Sequence, residues 1–242
     1  MKSIIVTGAS SGIGRATAEL FLDEGWTVGL LARSEGTLTA MAAAHRNAIS
    51  LVADVTDPVA VADAFKSFTD QAGALNVLFN NAGIFAPGGT IDEIALDDWY
   101  QSVNVNLNGM FLSAREAFRI MRNQTPQGGR IINNGSISAH VPRPNSVHYS
   151  ATKHAITGLT RSLSLDGRAF GIACGQIDIG NARTQMIQDL VDAAIAGGNT
   201  PDPTMAVEDA ARSVLHMATL PSEANVQFMT VMATTMPYIG RG

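Results

Sequence analysis

Short, unbroken apolar runs punctuate the chain, and they limit its folds more than any other feature. Ile4-Ile5-Val6, Thr27-Val28-Gly29-Leu30-Leu31, Ile49-Ser50-Leu51-Val52, Leu75-Asn76-Val77-Leu78-Phe79, Arg130-Ile131-Ile132, Ile172-Ala173-Cys174 and residues 226–232 make seven such runs. A strand with one wet face alternates apolar and polar residues, so a continuous run implies burial on both faces. Between the runs lie stretches of helical period, most clearly at residues 13–25, 96–122, 148–166 and 205–219. Asp57-Pro58 marks a further helix start, because Asp can cap free backbone N–H groups and Pro at the first helical position loses no bond. Strand and helix in alternation imply parallel crossovers. The expected fold is therefore α/β: about seven parallel strands, doubly wound, with helices on both faces.

With 46% hydrophobic and only 15% charged residues in 242, there is ample apolar surface to offset chain entropy. No Pro/Gly/Ser linker divides the chain, so one domain over residues 1–242 is expected. Residues 184–204 break the alternation with Gly197-Gly198, Pro201 and Pro203, and are expected to form a mobile lid. Sixteen Lys and Arg against 21 Asp and Glu argue against a nucleic-acid partner, which needs a basic surface. The N-terminal apolar run is too short for a signal peptide, and no run approaches the roughly 18 residues of a membrane span. The single cysteine, Cys174, excludes an intramolecular disulfide. A cytoplasmic protein without a membrane partner is expected.

In doubly wound sheets ligands bind beyond the carboxyl ends of the strands, and the first such end is rich in glycine. Gly8-Ala9-Ser10-Ser11-Gly12-Ile13-Gly14 joins the first run to the first helix. Missing Cβ atoms let a pyrophosphate approach the backbone, and the helix start offers free N–H groups and the positive end of its dipole. A P-loop would need Gly-Lys-Ser/Thr, whereas Ile13-Gly14-Arg15 follows Gly12. The turn therefore reads as the phosphate site of a Rossmann-type dinucleotide fold. An acid at the end of the second strand would bond a ribose 2′-hydroxyl; here Arg33 stands there, suited to a 2′-phosphate. NADP(H) is the expected cofactor. Asp54 and Val55, after the third run, are candidates for the adenine.

Tyr149 and Lys153 lie at i and i+4 on one helix face. A free phenol titrates near 10, and a neighbouring cation favours the phenolate, so the pair is a candidate general acid/base. Ser136 ends the fifth run and Asn81-Ala82-Gly83 follows the fourth, which puts both at the edge where the cofactor is expected.

Thr7-Gly8-x-x-x-Gly12-x-Gly14, Asn80-Asn81-Ala82-Gly83, Asn106, Ser136 and Tyr149-x-x-x-Lys153 occur in an order and spacing that resembles the short-chain dehydrogenase/reductase family over essentially the whole chain. The resemblance implies an NADP-dependent oxidoreductase acting on a small carbonyl/alcohol substrate. Tyr149 would protonate the carbonyl oxygen or deprotonate the alcohol. Lys153 would lower the Tyr149 pKa and bond the nicotinamide ribose, Ser136 would orient the substrate oxygen, and Asn106 would position a water in a proton relay. Asn81, Gly83 and Thr184 would line the cofactor. Low charge content together with two long helices suggests self-association, and the resemblance points to a homotetramer, with a homodimer as the alternative.

The chain departs from the family pattern in places. Ile179 stands where a Pro usually turns the chain beside the nicotinamide, and Asn76 where an Asp usually precedes the fourth strand. Asn133 and Asn134 are unusually polar and are expected to bond neighbouring loops. His140, His148 and His154 cluster around Tyr149 but match no metal-ligand spacing, so no metal is expected. Arg143 is a candidate for an anionic substrate and Met186 for an apolar pocket wall. A cofactor-binding sensor without turnover is the alternative reading; an isomerase or dehydratase would normally need a larger substrate domain.

Overall fold

The computed structural model describes residues 2–239. It contains one seven-stranded sheet built from β1 (Ser3–Thr7), β2 (Thr27–Ala32), β3 (Ala48–Val52), β4 (Val77–Asn80), β5 (Gly129–Asn134), β6 (Ile172–Ile179) and β7 (Phe228–Val231). The order across the sheet is β3-β2-β1-β4-β5-β6-β7, and each neighbouring pair is parallel. The order reverses between β1 and β4, which opens a crevice at their carboxyl ends. All seven apolar runs lie in or overlap a strand.

The helices are α1 (Gly12–Asp23), α2 (Glu35–Ala44), α3 (Pro58–Ala72), α4 (Leu96–Val103), α5 (Met110–Asn123), α6 (Val147–Gly167), α7 (Gln185–Ala196) and α8 (Val207–Thr219). Neighbouring strand residues serve opposite faces, as the pleat requires. Ile4 and Val6 of β1 join Phe21 of α1 and Met217 of α8 in one core, while Ile5 joins Phe65 and Phe68 of α3 in the other. All seven side chains are essentially inaccessible, and burying each stabilises by about 1.5–3 kcal/mol.

Three differences from the sequence expectation bear on the site. The long helix at 96–122 is two α-helices joined by a π-helical stretch, Asn104–Gly109, and such bulges often mark functional positions. β6 runs five residues beyond its apolar start, through Gly175, Gln176 and Asp178. Residues 184–204 hold a twelve-residue helix, α7. Their ends are tied together: Arg183 N–H donates to the Met205 carbonyl at 2.8 Å and Met205 N–H to the Asn181 carbonyl at 2.9 Å.

Candidate active site

The ends of β1, β4 and β5 are laced by their own side chains. The Thr7 hydroxyl accepts from the backbone N–H groups of Asn81 and Ala82 at 2.8 and 2.9 Å. Asn81 Nδ2 donates to the Thr7 carbonyl, and Asn134 Nδ2 donates to Asn81 Oδ1 at 2.8 Å. The Asn134 carbonyl then accepts from Lys153 Nζ at 2.8 Å. Asn133 instead reaches below the sheet edge, taking a bond from Asn80 and donating to Thr160 of α6. Asn134 therefore bonds the loop after β4, as expected, while Asn133 binds a strand and a helix instead. Asn76 accepts through Oδ1 from the backbone N–H and hydroxyl of Ser3, bonds that an Asp there would also accept.

Beyond these strand ends lies a cleft of about 410 Å3. Gly8, Ser10, Ser11, Gly12 and Ile13 line one wall, Arg33, Asp54 and Val55 the end beyond β2 and β3, and Asn81, Ala82 and Gly83 the floor. Tyr149, Lys153, Thr184 and Met186 line the far side. Gly14 lies beneath the turn, where an added Cβ would stand 2.2 Å from the Gly8 carbonyl oxygen; only glycine lets α1 start this close to the loop. The α1 N-terminus has no side-chain cap, so its first N–H groups face the cleft uncommitted to any side chain. These features fit a dinucleotide. Asp54 also starts the path into α3, since its Oδ1 accepts from the Thr56 N–H and hydroxyl. Its Oδ2 lies 3.8 Å from the exposed Arg33 guanidinium.

Tyr149 and Lys153 project from the first turns of α6, with Lys153 Nζ 5.5 Å from the centre of the phenol ring. Phe85 packs on Tyr149 with ring centres 5.0 Å apart. Burial raises the Tyr149 pKa above its ordinary 10; a hydrogen bond with Ser136 and the Arg143 charge act against that rise, and Asp178 adds to it. Lys153 was expected to pull the phenol down. Burial is instead the larger influence on Tyr149, and it also lowers the Lys153 pKa from 10.5 to about 8 against the pull of Asp178.

Ser136 ends the strand region in extended backbone, and its hydroxyl accepts from the Ser138 N–H at 3.1 Å. Asn106 is fully buried in the π-helical stretch. It exchanges two hydrogen bonds with the backbone of Ile84, at 2.8 and 2.9 Å, and reaches Thr152 at 3.5 Å. Ile179 is buried as the last residue of β6, and the following Gly180 bonds β7 through its N–H. The histidines go to separate partners: His140 to Asp178, His148 to the Ala86 carbonyl and His154 to the Ser150 carbonyl. His148 is completely buried rather than solvated. Arg143 Nη2 donates to Asn181 Oδ1 at 2.7 Å.

Asp178 and His140 were not singled out in the sequence as site residues. The available signal was an acid flanked by Ile177 and Ile179 just beyond the sixth apolar run, since a carboxylate buried between them must find partners.

A family model described as short chain dehydrogenase matches residues 2–194. The chain is 38% identical over 180 residues to a 3beta-hydroxysteroid dehydrogenase of Mediterraneibacter gnavus, with 73% of this chain and 64% of that protein aligned. The aligned part thus spans just under two thirds of that relative. It is 30% identical to Sulfoacetaldehyde reductase 2 of Chromohalobacter salexigens, across 96% of this chain and 94% of that one. Among solved structures, levodione reductase superposes with a TM-score of 0.85 at 25% identity, covering 96% of each chain. ElxO with NADP bound superposes with a TM-score of 0.86 at 24% identity, over 95% of this chain and 96% of that one, and shares the fold.

Proposed function

The chain belongs to the short chain dehydrogenase family of oxidoreductases, and from that premise we propose that it transfers a hydride between NADP(H) and a small carbonyl/alcohol substrate, with Tyr149 as general acid/base. The convergence of Tyr149, Ser136 and Lys153 beside the glycine-walled cleft carries this reading. When bound, the nicotinamide cofactor supplies the hydride. Gly8 to Gly14 and the uncapped α1 terminus hold its pyrophosphate, Arg33 its 2′-phosphate, and Asp54 and Val55 border the adenine. Asn81, Ala82, Gly83 and Thr184, which line the cleft, would border its nicotinamide half, with Ile179 assigned there from the family pattern alone.

In the reductive direction Tyr149 gives its proton to the carbonyl oxygen. Its raised pKa keeps the phenol protonated at neutral pH, the state a proton donor needs. Ser136 directs its hydroxyl to the same oxygen. The Lys153 ammonium stabilises the phenolate left behind and bonds the nicotinamide ribose. Asn106 holds a water that returns a proton towards Lys153. Residues 184–204, tied at their base and carrying α7 with Met186 on the cleft, close over the substrate as a lid on one domain formed by the whole chain. A homotetramer and a cytoplasmic setting go with this reading. Exposed Tyr100, Phe111 and Leu165 on α4, α5 and α6 support the first, and the free thiol of buried Cys174 fits the second.

Relatives named for a 3β-hydroxysteroid, cyclohexanol, cis-4-hydroxycyclohexanecarboxylate and levodione share a six-membered carbocycle at the reacting carbon, so cyclic ketones head the substrate panel. The test is NADPH oxidation with cyclohexanone, levodione, a 3-oxosteroid and sulfoacetaldehyde, run beside NADH and Tyr149→Phe. Turnover is expected to prefer NADPH and to fall by at least about a hundredfold in Tyr149→Phe, with cofactor binding unchanged. Equal efficiency with NADH would remove the cofactor assignment, and full activity in the Phe variant would remove the mechanism.

A further inference from the structure

β6 carries a carboxyl group where burial disfavours one. Asp178 lies between Ile177 and Ile179 and is completely inaccessible. A carboxylate in such a place costs several kcal/mol unless its oxygens are well bonded. Here both are. Oδ1 accepts from the backbone N–H of Ser136 at 2.9 Å and from Gln176 Nε2 at 2.8 Å. Oδ2 meets His140 Nε2 at 2.8 Å. Gln176 is itself held, accepting from the Thr160 hydroxyl and donating to that of Thr157, both on α6. A Cβ on Gly135 would stand 2.1 Å from Asp178 Oδ1, so the carboxylate reaches the Ser136 peptide only because that residue is glycine.

The two carboxylate oxygens hold opposite ends of one short turn. Residues 137–139 form a single 3-10 turn capped by the Ser136 hydroxyl, with Ala139 N–H donating to the Ser136 carbonyl at 2.8 Å. We propose that Asp178 is a positioning residue for Ser136: it staples the turn at residue 136 through the backbone and at residue 140 through the imidazole, and so aims the serine hydroxyl at the reacting oxygen. With the Ser136 peptide fixed and one lone pair of its hydroxyl taken by Ser138, the hydroxyl proton is left to point into the site. An apolar side chain would fill the Asp178 position without electrostatic cost, but it would release both ends of the turn.

The inference rests on the reductase reading, and its test separates the two. Asp178→Asn, which keeps the shape, and His140→Ala, which truncates a side chain 40% exposed, are each made alone and on a Ser136→Ala background. The first readout is amide hydrogen exchange of peptides covering 136–141, which requires no turnover. Each single variant is expected to speed exchange there by about tenfold while β1 and β4 peptides stay unchanged. The second is kcat and KM with NADPH against cyclohexanone, levodione and a 3-oxosteroid. A loosened serine lowers kcat by about tenfold for Asp178→Asn and about threefold for His140→Ala, with KM for NADPH unchanged. On Ser136→Ala the further loss shrinks below about twofold, since the positioned group is gone. Losses that multiply in full on that background, or unchanged exchange at 136–141, overturn the proposal. If Asp178→Asn does not fold, the His140→Ala measurements decide by the same criteria. A wild type that binds NADPH but reduces none of the probes removes the reductase reading, and the exchange data alone then decide the staple.

Discussion

Lys153 concentrates the electrostatic cost of the site in one residue. Its pKa falls from 10.5 to about 8 on burial, which at about 1.36 kcal/mol per pH unit is a penalty of about 3 kcal/mol wherever both folded and unfolded chains carry the proton, below pH 8. Between about pH 8 and 10.5 the unfolded chain binds the extra proton, so this penalty is relieved and stability rises with pH. Lys153→Met removes the charge and gives up one bond to the Asn134 carbonyl, worth about 1 kcal/mol. The variant is expected to melt about 5 °C higher at pH 7 while losing turnover; a lower Tm would contradict the desolvation argument. In the wild type, kcat/KM for NADPH in reduction is expected to fall as pH rises through about 8, because the ammonium discharges before Tyr149 does. At the other end of the cleft, Arg33→Ala is expected to cut kcat/KM for NADPH by about tenfold or more and leave that for NADH unchanged, as loss of a charged hydrogen bond predicts. The Tyr149 and Lys153 pair could be read from spacing alone. The direction of their pKa changes could not, because the burial beside Phe85 and the sheet edge, and the Asp178 charge that acts on both groups, come from residues distant in sequence.

Among the elements, those with local signals were legible and those with tertiary causes were not. Asp57 caps α3 by accepting from the Val59 and Ala60 N–H groups at 2.8 and 3.1 Å, with Pro58 at the first position. Asp57→Ala is expected to cost about 1 kcal/mol, which is a Tm drop of about 3 °C for a chain this size, with kcat unchanged. A melt that does not move would show the cap to be redundant. By contrast, α7 stayed hidden. Met186, Ile187, Val191, Ala194 and Ile195 have helical spacing, but the glycines and prolines that follow dominate the segment. β6 looked short because Gln176 and Asp178 interrupt its apolar run, and each is acceptable there only through partners on α6 and the Ser136 turn. The π-helical stretch around Asn106 likewise leaves no local mark; its asparagine is fixed by Ile84, 22 residues away.

For the molecule as a whole, exposed apolar side chains bear on the number of copies. Tyr100, Phe111 and Leu165, on α4, α5 and α6, are 57%, 50% and 61% exposed, apolar surface of the kind that marks protein contacts. Light scattering behind size exclusion is expected to give four copies in the wild type and fewer in Phe111→Asp. A wild-type monomer would remove the tetramer. What the sequence by itself determined was the alternation of buried strands and helices, the glycine turn that starts α1, and the membership of Ser136, Tyr149 and Lys153 in one edge of the sheet. Those features depend on residues a few positions apart, or on a strand order implied by crossovers. Only the tertiary structure decided the direction in which burial moves the Tyr149 and Lys153 pKa values, the lacing of Thr7, Asn81 and Asn134, and the hold of Asp178 on both ends of the serine turn. Desolvation and hydrogen-bond partnership are set by groups that meet across tens of residues of chain, and no local pattern records which of them will meet.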